Sequence, residues 1–213
     1  MENFVFQCGT KVIFGRNTES HIGGEVKMYT EKVLLVYGGS SVIKHGILDK
    51  VKASLRASGL AWIEFGGARP NPRLTLVEKG IALCRQEKIG FILAVGGGSP
   101  IDTAKAIALG VPYEGAVWDF YAGKAQPKSA LPLGVILTIP AAGSETSIFS
   151  VITNEDECLK IGYGNELIRP VFAVMNPEFS YTLPAYQTAC GCVDIMMHTL
   201  ERYFTNVKDV ALT

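Results

Sequence analysis

The chain has 213 residues, which corresponds to about one and a half domains at roughly 150 residues per domain. The 20 Lys and Arg residues balance 20 Asp and Glu residues, so the net charge is zero and the chain lacks the basic surface typical of nucleic-acid-binding proteins. Hydrophobic residues make up 48% of the sequence, which excludes intrinsic disorder, and no apolar run is long enough to predict a membrane span.

The cysteines and the N-terminus indicate a reducing compartment. Five cysteines form neither a paired framework nor a Cys-x-x-Cys motif, as is typical of free thiols (Cys8, Cys84, Cys158, Cys190 and Cys192). The Cys-x-Cys at 190–192 is a weak zinc signature, and free thiols are the favoured interpretation. The opening Met-Glu-Asn-Phe has no basic stretch followed by an apolar core, so we expect no secretion signal and a cytoplasmic protein.

Short apolar runs alternate with longer helical patterns in the first half of the chain. The runs predict three strands (32–37, 60–65 and 91–95), and helical spacing predicts three helices (42–58, 74–88 and 100–109). This β-α-β-α-β-α order is typical of a parallel sheet covered by helices. We therefore predict an α/β fold whose ligands bind beyond the carboxyl ends of the strands.

The second half is less regular and ends in a long helix. Four further strands are predicted, the middle two as an antiparallel hairpin (133–139, 147–153, 159–163 and 171–175). From Pro184 onward the pattern changes to one helix over 185–206, with apolar residues along one side. These patterns divide the chain into an α/β domain at 1–183 and the beginning of a helical domain at 184–213.

Three consecutive glycines follow the third predicted strand (Gly96, Gly97 and Gly98). They can take positive φ and let backbone N–H groups approach a ligand closely. Ser99 suits an N-cap, Pro100 suits the first helical position, and Asp102 completes an acidic capping box. A capped turn by itself accounts for Ser99 and Asp102. The three glycines favour a pyrophosphate site at the helix N-terminus.

A weaker turn, Gly38-Gly39-Ser40-Ser41, follows the first predicted strand. In a parallel sheet the two turns end neighbouring strands, as the halves of a dinucleotide site do. No Asp or Glu follows to accept the hydroxyls of an adenosine ribose, whereas the serines and nearby Lys44 suit a 2′-phosphate. The sequence therefore favours NADP, with NAD as the alternative.

Asp194 and His198 lie four residues apart on the last predicted helix, so their side chains share one face. Carboxylate and imidazole are good ligands for zinc or ferrous iron. By itself this spacing more often marks a hydrogen-bonded pair, and two ligands do not make a closed metal site. The other histidines, His21 and His45, are interpreted as solvated.

A series of motifs along the chain resembles one enzyme family. They are Phe4-Val-Phe-Gln, Lys11-Val-Ile-Phe-Gly15, Tyr37-Gly-Gly-Ser-Ser, Gly96-Gly-Gly-Ser-Pro-Ile-Asp-Thr-Ala-Lys105, Val117-Trp-Asp-Phe-Tyr121, Thr138-Ile-Pro-Ala-Ala-Gly-Ser-Glu145, Phe172-Ala-Val-Met-Asn-Pro177, Tyr181-Thr-Leu-Pro184 and Val193-Asp-Ile-Met-Met-His198. Over the whole chain the sequence resembles the iron-containing (group III) alcohol dehydrogenases. The Trp118-Asp119 segment is similar to their butanol dehydrogenase-like, NADP-linked aldehyde reductase branch.

The resemblance implies a Rossmann-like dinucleotide-binding domain followed by an all-helical metal domain. The family's adenosine-side and pyrophosphate turns match two sets of residues (Gly38, Gly39 and Ser41; Gly97, Gly98 and Ser99). Thr138 matches a threonine that contacts the cofactor, and Lys160 matches a lysine that reaches the nicotinamide ribose. Three positions depart from the pattern. Ser40 replaces a third glycine, and Ile43 replaces a commonly paired lysine, which leaves Lys44 as the remaining cation and weakens the expected grip on a 2′-phosphate. Ser147 stands where branch members often carry Asn near the cofactor.

The resemblance also implies a metal-dependent alcohol dehydrogenase or aldehyde reductase that transfers hydride between NAD(P)(H) and a primary alcohol or aldehyde. Asp194 and His198 match the first two of four metal ligands, which hold Fe2+ or, as a common substitute, Zn2+. In the family the other two ligands are histidines that lie beyond residue 213, and relatives are nearly twice as long.

The length and the missing ligands limit the activity expected of this chain. We expect little turnover from this chain, and the alternative function is a catalytically incomplete nucleotide-binding domain of such an enzyme. The Trp118-Asp119 segment argues against a third interpretation, a relative that oxidises glycerol or acts as a cyclase.

We expect a small-molecule substrate, no nucleic acid or membrane partner, and a homodimer as one arrangement common in the family.

Overall fold

The computed structural model describes residues 7–204, which form a six-stranded parallel sheet with helices on both faces and a separate hairpin. The strands are β1 (Lys11–Phe14), β2 (Lys32–Tyr37), β3 (Ala61–Phe65), β4 (Phe91–Gly96), β5 (Leu133–Leu137), β6 (Phe149–Asn154), β7 (Leu159–Gly164) and β8 (Phe172–Met175). The order in the large sheet is β1-β8-β5-β4-β2-β3, and β6 pairs antiparallel with β7.

The helices connect these strands and end the described part of the chain. They are α1 (Ile22–Lys27), α2 (Ser41–Lys44), α3 (Ile47–Ala57), α4 (Leu74–Glu87), α5 (Gly98–Gly110), α6 (Trp118–Tyr121) and α7 (Ala185–Tyr203). Short 3-10 turns lie at Thr18–His21, Glu166–Ile168 and Pro177–Ser180. The predicted α/β fold class is confirmed.

Strand β4 lies inside the sheet and is buried at every residue. Helices cover both faces of a parallel sheet, so an interior strand is apolar along its whole length. β4 pairs with β2 on one side and with β5 on the other. The chain passes from β2 outward to β3 and then returns to β4 on the opposite side of β2. The strand order therefore reverses between β2 and β4, and such a reversal opens a crevice at the carboxyl ends of the strands.

Two apolar layers hold the helices against the sheet. On one face the layer includes Val77 of α4 and Ile107 of α5. On the other face it includes Val26 of α1 and Val51 of α3. Burial of each such side chain stabilises the fold by about 1.5–3 kcal/mol. The crevice between β2 and β4 is therefore supported by a core that is packed on both faces of the sheet.

The predicted strands agree with the structure, and so does the antiparallel hairpin. The prediction of a single helix at 42–58 is wrong, because α2 ends at Lys44 and α3 begins at Ile47. Gly46 lies between them with φ of 67°, a left-handed conformation that interrupts a helix. The sequence patterns miss β1, α1 and α6, because each has four to six residues and is too short to show a periodicity.

Helix α7 carries exposed apolar side chains, among them Val193, Met196 and Tyr203. It begins where the helix at 185–206 was predicted, and residues 205 and 206 of that prediction lie outside the described residues. Within residues 7–204, no helix combines the length and the apolarity needed to cross a bilayer. The division of the chain between residues 183 and 184 stays a prediction.

A buried carboxylate joins three parts of the fold at the α3 side of the sheet. Glu19 accepts hydrogen bonds from Lys50 Nζ at 2.9 Å and from Asn176 Nδ2 at 2.9 Å. Burial by itself would raise the pKa of Glu19, but the hydrogen bonds from Lys50, from its own backbone and from Asn176 together lower it. The charged form is therefore the one that the fold stabilises.

Glu19→Gln should destabilise the protein near neutral pH, because the Gln Nε2 donor would face Lys50 or Asn176, both of which are donors. We expect a loss of about 1–3 kcal/mol in the free energy of unfolding. Because the folded pKa of Glu19 lies below its usual value of 4.5, its contribution is present above that pH and is lost as the pH falls through the folded pKa. Urea unfolding at neutral and acidic pH should therefore show a difference from the wild type that shrinks in acid.

The control is Glu78→Gln on the exposed side of α4, which should leave unfolding unchanged at both pH values. A Glu19→Gln deficit of equal size at both pH values would contradict the ionic role.

Candidate dinucleotide site

A cleft lies at the carboxyl ends of β2, β4 and β5. It has a volume of about 230 Å3 and is lined by both glycine turns, by Thr138 and by Phe179 and Leu183. All predicted cofactor residues except Ser147 and Lys160 line it (Gly38, Gly39, Ser41, Gly96, Gly97, Gly98, Ser99 and Thr138). The sheet thus brings together two turns that lie far apart in the sequence.

Glycine is required at Gly96 by the backbone itself. Its φ of 147° lies in the region that residues with a side chain rarely adopt, and a Cβ there would lie 2.7 Å from Pro100 Cγ. Gly97 is less constrained, since a Cβ would lie 3.2 Å from Ile139 Cβ. At Gly98 a Cβ would meet no protein atom within 4 Å, so this glycine leaves open space at the cleft.

The capping prediction for α5 is wrong. The helix begins at Gly98, one residue before Ser99, and its N-cap residue Gly97 provides no side-chain hydrogen bond. Asp102 instead accepts hydrogen bonds from Ser144 Oγ at 2.7 Å and from Val151 N at 3.0 Å. Since no side chain caps the first turn of α5, its N–H groups are left for an anion, which the helix dipole also favours.

The other glycine turn packs directly against the start of α5. A Cβ on Gly38 would lie 3.2 Å from Pro100 Cγ and 3.4 Å from the carbonyl oxygen of Ala68. Gly39 faces open space, and Ser41 begins α2. The first glycine turn therefore contacts the start of α5, and both turns line the same cleft.

Thr138 continues the cleft toward β5 and β8. Its backbone N–H donates to the carbonyl oxygen of Gly96 at 3.0 Å, which fixes it beside the second glycine turn. Beyond it lie two further cavities. One, of about 160 Å3, lies between Phe14 and Pro177, and the other, of about 210 Å3, lies between the Gly97–Ser99 turn and the 141–145 loop. The cleft thus extends past the second glycine turn.

Lys160 and Ser147 lie outside the cleft. Lys160 Nζ donates to Asn71 Oδ1 at 2.7 Å. Asn71 belongs to the loop that also contributes Ala68 and Pro70 to the cleft wall, so the hairpin carrying Lys160 is tied to that wall. Ser147 accepts hydrogen bonds from Lys105 through both its carbonyl oxygen and its hydroxyl, at 2.8 and 3.3 Å.

Sequence reasoning missed the role of two charged side chains on α5. Asp102 and Lys105 are three residues apart on a helix that is otherwise almost entirely apolar on its buried face, and this pairing is the signal that could have found them. Burial raises the pKa of Asp102, opposed by its hydrogen bonds from Ser144 and Val151 and by the nearby Lys105. Burial lowers the pKa of Lys105 to about 8, opposed by the charge of Asp102.

The predicted metal ligands lie on α7, the helix that follows the cleft-lining residues Thr182 and Leu183. Asp194 and His198 lie one turn apart on α7, with Nε2 and Oδ1 separated by 3.8 Å and both side chains about half exposed. α7 approaches the loop after β5 closely at Gly191, where a Cβ would lie 2.8 Å from the carbonyl oxygen of Pro140. A carboxylate and an imidazole on one accessible face fit two positions of a metal site. No cluster of three or more candidate ligands exists among residues 7–204.

Comparison with known proteins identifies the family of the chain. The family model described as iron-containing alcohol dehydrogenase matches residues 9–177. The chain belongs to this family. A probable NADH-dependent butanol dehydrogenase of Bacillus subtilis is 46% identical over 212 residues, and the NADPH-dependent aldehyde reductase YqhD of Escherichia coli is 38% identical over 215 residues. The match covers 100% of this chain in both cases, but 54% and 55% of these relatives.

A solved structure shows the same fold. The crystal structure of an NADH-dependent butanol dehydrogenase A from Thermotoga maritima superposes with a TM-score of 0.92 at 44% identity. The superposition covers 96% of this chain and 52% of that one. The chain thus spans about half the length of the iron-containing alcohol dehydrogenases that it matches.

Gly96→Ala should destabilise the fold, because alanine at φ of 147° is strained and its methyl group would press on Pro100. We expect the free energy of unfolding in urea to fall by about 1–3 kcal/mol. Gly39→Ala is the matched control, since a Cβ there meets no atom within 4 Å. Equal stabilities for the two variants would contradict the strained role of Gly96.

Proposed function

We propose that the chain binds a nicotinamide dinucleotide in the cleft and serves a metal-dependent alcohol dehydrogenase or aldehyde reductase. The observation that carries this proposal is the uncapped N-terminus of α5, which begins at the glycine turn and lies against Gly38 of the other turn. The placement at the β2–β4 reversal is that of a dinucleotide site in an open parallel sheet. The names of the relatives, which include butanol dehydrogenases and an aldehyde reductase, support the reaction class.

Different residues of this chain would bind different parts of the dinucleotide. Gly38, Gly39 and Ser41 would hold the adenosine end, and the first turn of α5 would hold the pyrophosphate through its N–H groups and dipole. Thr138 lies on the far side of the pyrophosphate turn, where it would orient the nicotinamide end. Lys160, now bonded to Asn71, would need to leave that partner to reach a bound ribose.

Asp194 and His198 would supply two of the ligands of a divalent metal, Fe2+ or Zn2+. When bound, the nicotinamide would carry the hydride and the metal would act as a Lewis acid on the substrate oxygen. α7 approaches the loop that follows Thr138 at Gly191, three residues before Asp194, and this contact supports a metal site near the nicotinamide end.

The choice between NADP and NAD rests on the first turn. No carboxylate follows β2 to accept the ribose hydroxyls, and Lys44 lies one turn of α2 after Ser41 with its side chain exposed. A cation there favours a 2′-phosphate. We therefore propose NADP as the preferred cofactor, although butanol dehydrogenases named as NADH-dependent are among the relatives.

Gly98→Ala tests cofactor binding without disturbing the fold. A methyl group at Gly98 meets no protein atom but would enter the space where we place the pyrophosphate. We expect the Kd for NADPH, measured by its fluorescence, to rise about tenfold, equivalent to ~1.4 kcal/mol. Gly24→Ala on α1, also in open space but far from the cleft, should leave that Kd unchanged. Unchanged NADPH binding by both variants would place the cofactor elsewhere.

Lys44→Ala tests the cofactor preference. Loss of this cation should raise the Kd for NADPH several-fold through lost attraction to the 2′-phosphate, while the Kd for NADH stays the same. The effect should weaken at high salt, because the side chain is exposed. Lys27→Ala on α1 provides the charge-matched control. If Lys44→Ala weakens both cofactors equally, the 2′-phosphate assignment is wrong.

Reduction of butanal by NADPH in the presence of Fe2+ distinguishes the dehydrogenase from the alternative, a nucleotide-binding domain without catalysis. Two ligands on α7 give an incomplete metal site among the described residues, so we expect NADPH binding without measurable turnover by the 213-residue chain. Turnover that disappears in His198→Ala would show instead that the chain itself is the dehydrogenase. His21→Ala, at an exposed position in the Thr18–His21 turn, is the control.

A further inference from the structure

Lys105 is a fully buried lysine whose ammonium group is satisfied by backbone oxygens. Its Nζ donates to the carbonyl oxygens of Ser144 at 2.7 Å, Ser147 at 2.8 Å and Phe149 at 2.8 Å. An ammonium group has three N–H donors, and these three carbonyls match them one to one. The hydroxyls of Ser144 and Ser147 lie at 3.1 and 3.3 Å. Lys105 therefore anchors the chain segment that carries these three carbonyls.

The anchored segment, 144–149, joins the turn at Gly143 to β6. Residues 144–148 have no regular secondary structure, Phe149 is the first residue of β6, and Gly143 has φ of 73°. Without Lys105, three carbonyl oxygens in this segment would lack the donor that they share. The 141–145 loop, which includes the first two residues of this segment, forms one wall of the cavity of about 210 Å3 beside the Gly97–Ser99 turn.

Asp102 joins the same segment to α5 a second time. Its Oδ1 accepts from Ser144 Oγ at 2.7 Å, and its Oδ2 accepts from the backbone N–H of Val151, the third residue of β6, at 3.0 Å. Two charged side chains, three residues apart on α5, thus hold the segment from both ends. The cavity wall therefore keeps a fixed position relative to the first turn of α5.

Burying the charged group of Lys105 is energetically unfavourable, so we ask what the lysine contributes in return. Taking an ammonium group out of water disfavours its charged form, and burial accordingly lowers the pKa of Lys105 to about 8. An apolar residue would fill the same core volume at lower cost, but it would not fix three carbonyls of a loop. The gain from lysine is the geometry of the segment.

We propose that Lys105 is a positioning residue that sets the wall of the cleft where the nicotinamide end of the dinucleotide lies. The inference rests on the proposed function, because the first glycine turn would take the adenosine end and the 210 Å3 cavity lies on the opposite side of the pyrophosphate turn. Lys105 itself touches neither cleft nor cofactor. It acts through the 144–149 segment and the loop joined to it.

The test compares a whole dinucleotide with its adenosine half. In Lys105→Met, the Kd for NADPH should rise about tenfold, because the wall is no longer preorganised. The Kd for adenosine 2′,5′-bisphosphate, which reaches only the first turn, should stay within about twofold of the wild type. Calorimetric titration measures both ligands, and Lys79→Met on the exposed side of α4 is the matched control.

A second variant covers the case in which Lys105→Met does not fold. Ser144→Ala removes the hydrogen bond that the hydroxyl donates to Asp102 and the longer one that it accepts from Lys105, and leaves all three carbonyls with their donor. It should raise the Kd for NADPH about threefold and leave the bisphosphate unaffected. Hydrogen exchange should also quicken at the Phe149 and Val151 amides in either variant, with β2 unchanged.

The outcomes separate this proposal from the proposed function. If the wild type binds neither ligand, the cofactor site itself is wrong and the role of Lys105 is wrong with it. If the wild type binds both ligands and the folded variants lose both equally, or lose neither, the cofactor site stands and the positioning role is overturned. A selective loss of NADPH supports it.

Discussion

The junction between β4 and α5 is the constraint on which the cleft depends. β4 is buried on both faces, so its carboxyl end cannot shift, and α5 begins two residues after it. The chain makes this change of direction with φ of 147° at Gly96, where any Cβ would meet Pro100. Pro100 in turn contacts Gly38 of the other turn. One backbone position that requires glycine therefore fixes the distance between the two halves of the site.

A second set of contacts extends the site beyond the glycine turns. α5 lies almost completely buried between the sheet and the β6–β7 hairpin, yet it carries Asp102 and Lys105 on its inward side. These two side chains bind the backbone of the segment that leads into β6. Thr138 and Pro140 then connect the cleft to α7, where Asp194 and His198 lie. The cofactor residues and the candidate metal ligands are thus linked through α5 and the loop after β5.

Several features could be predicted from the sequence because their causes are local. The apolar runs of β2 and β4 predict interior strands, and the three glycines predict the turn at Gly96. The capping box at Ser99 and Asp102 fails, although its local pattern is sound. Asp102 finds partners at Ser144 and Val151, more than 40 residues later, and these long-range hydrogen bonds outweigh a local cap. Gly46 breaks the predicted helix at 42–58 for a local reason that helical periodicity does not register.

By itself the sequence determined the α/β class, the two glycine turns and the spacing of Asp194 and His198, because periodicity and backbone chemistry act over a few residues. The tertiary structure decided which of these residues share a cleft. In the folded chain Gly38 lies against Pro100, and Lys160 donates a hydrogen bond to Asn71 outside the cleft. Ser147 accepts hydrogen bonds from the buried Lys105. Those placements depend on hydrogen bonds and contacts between residues far apart in the chain, and such pairings arise from packing that no local pattern encodes.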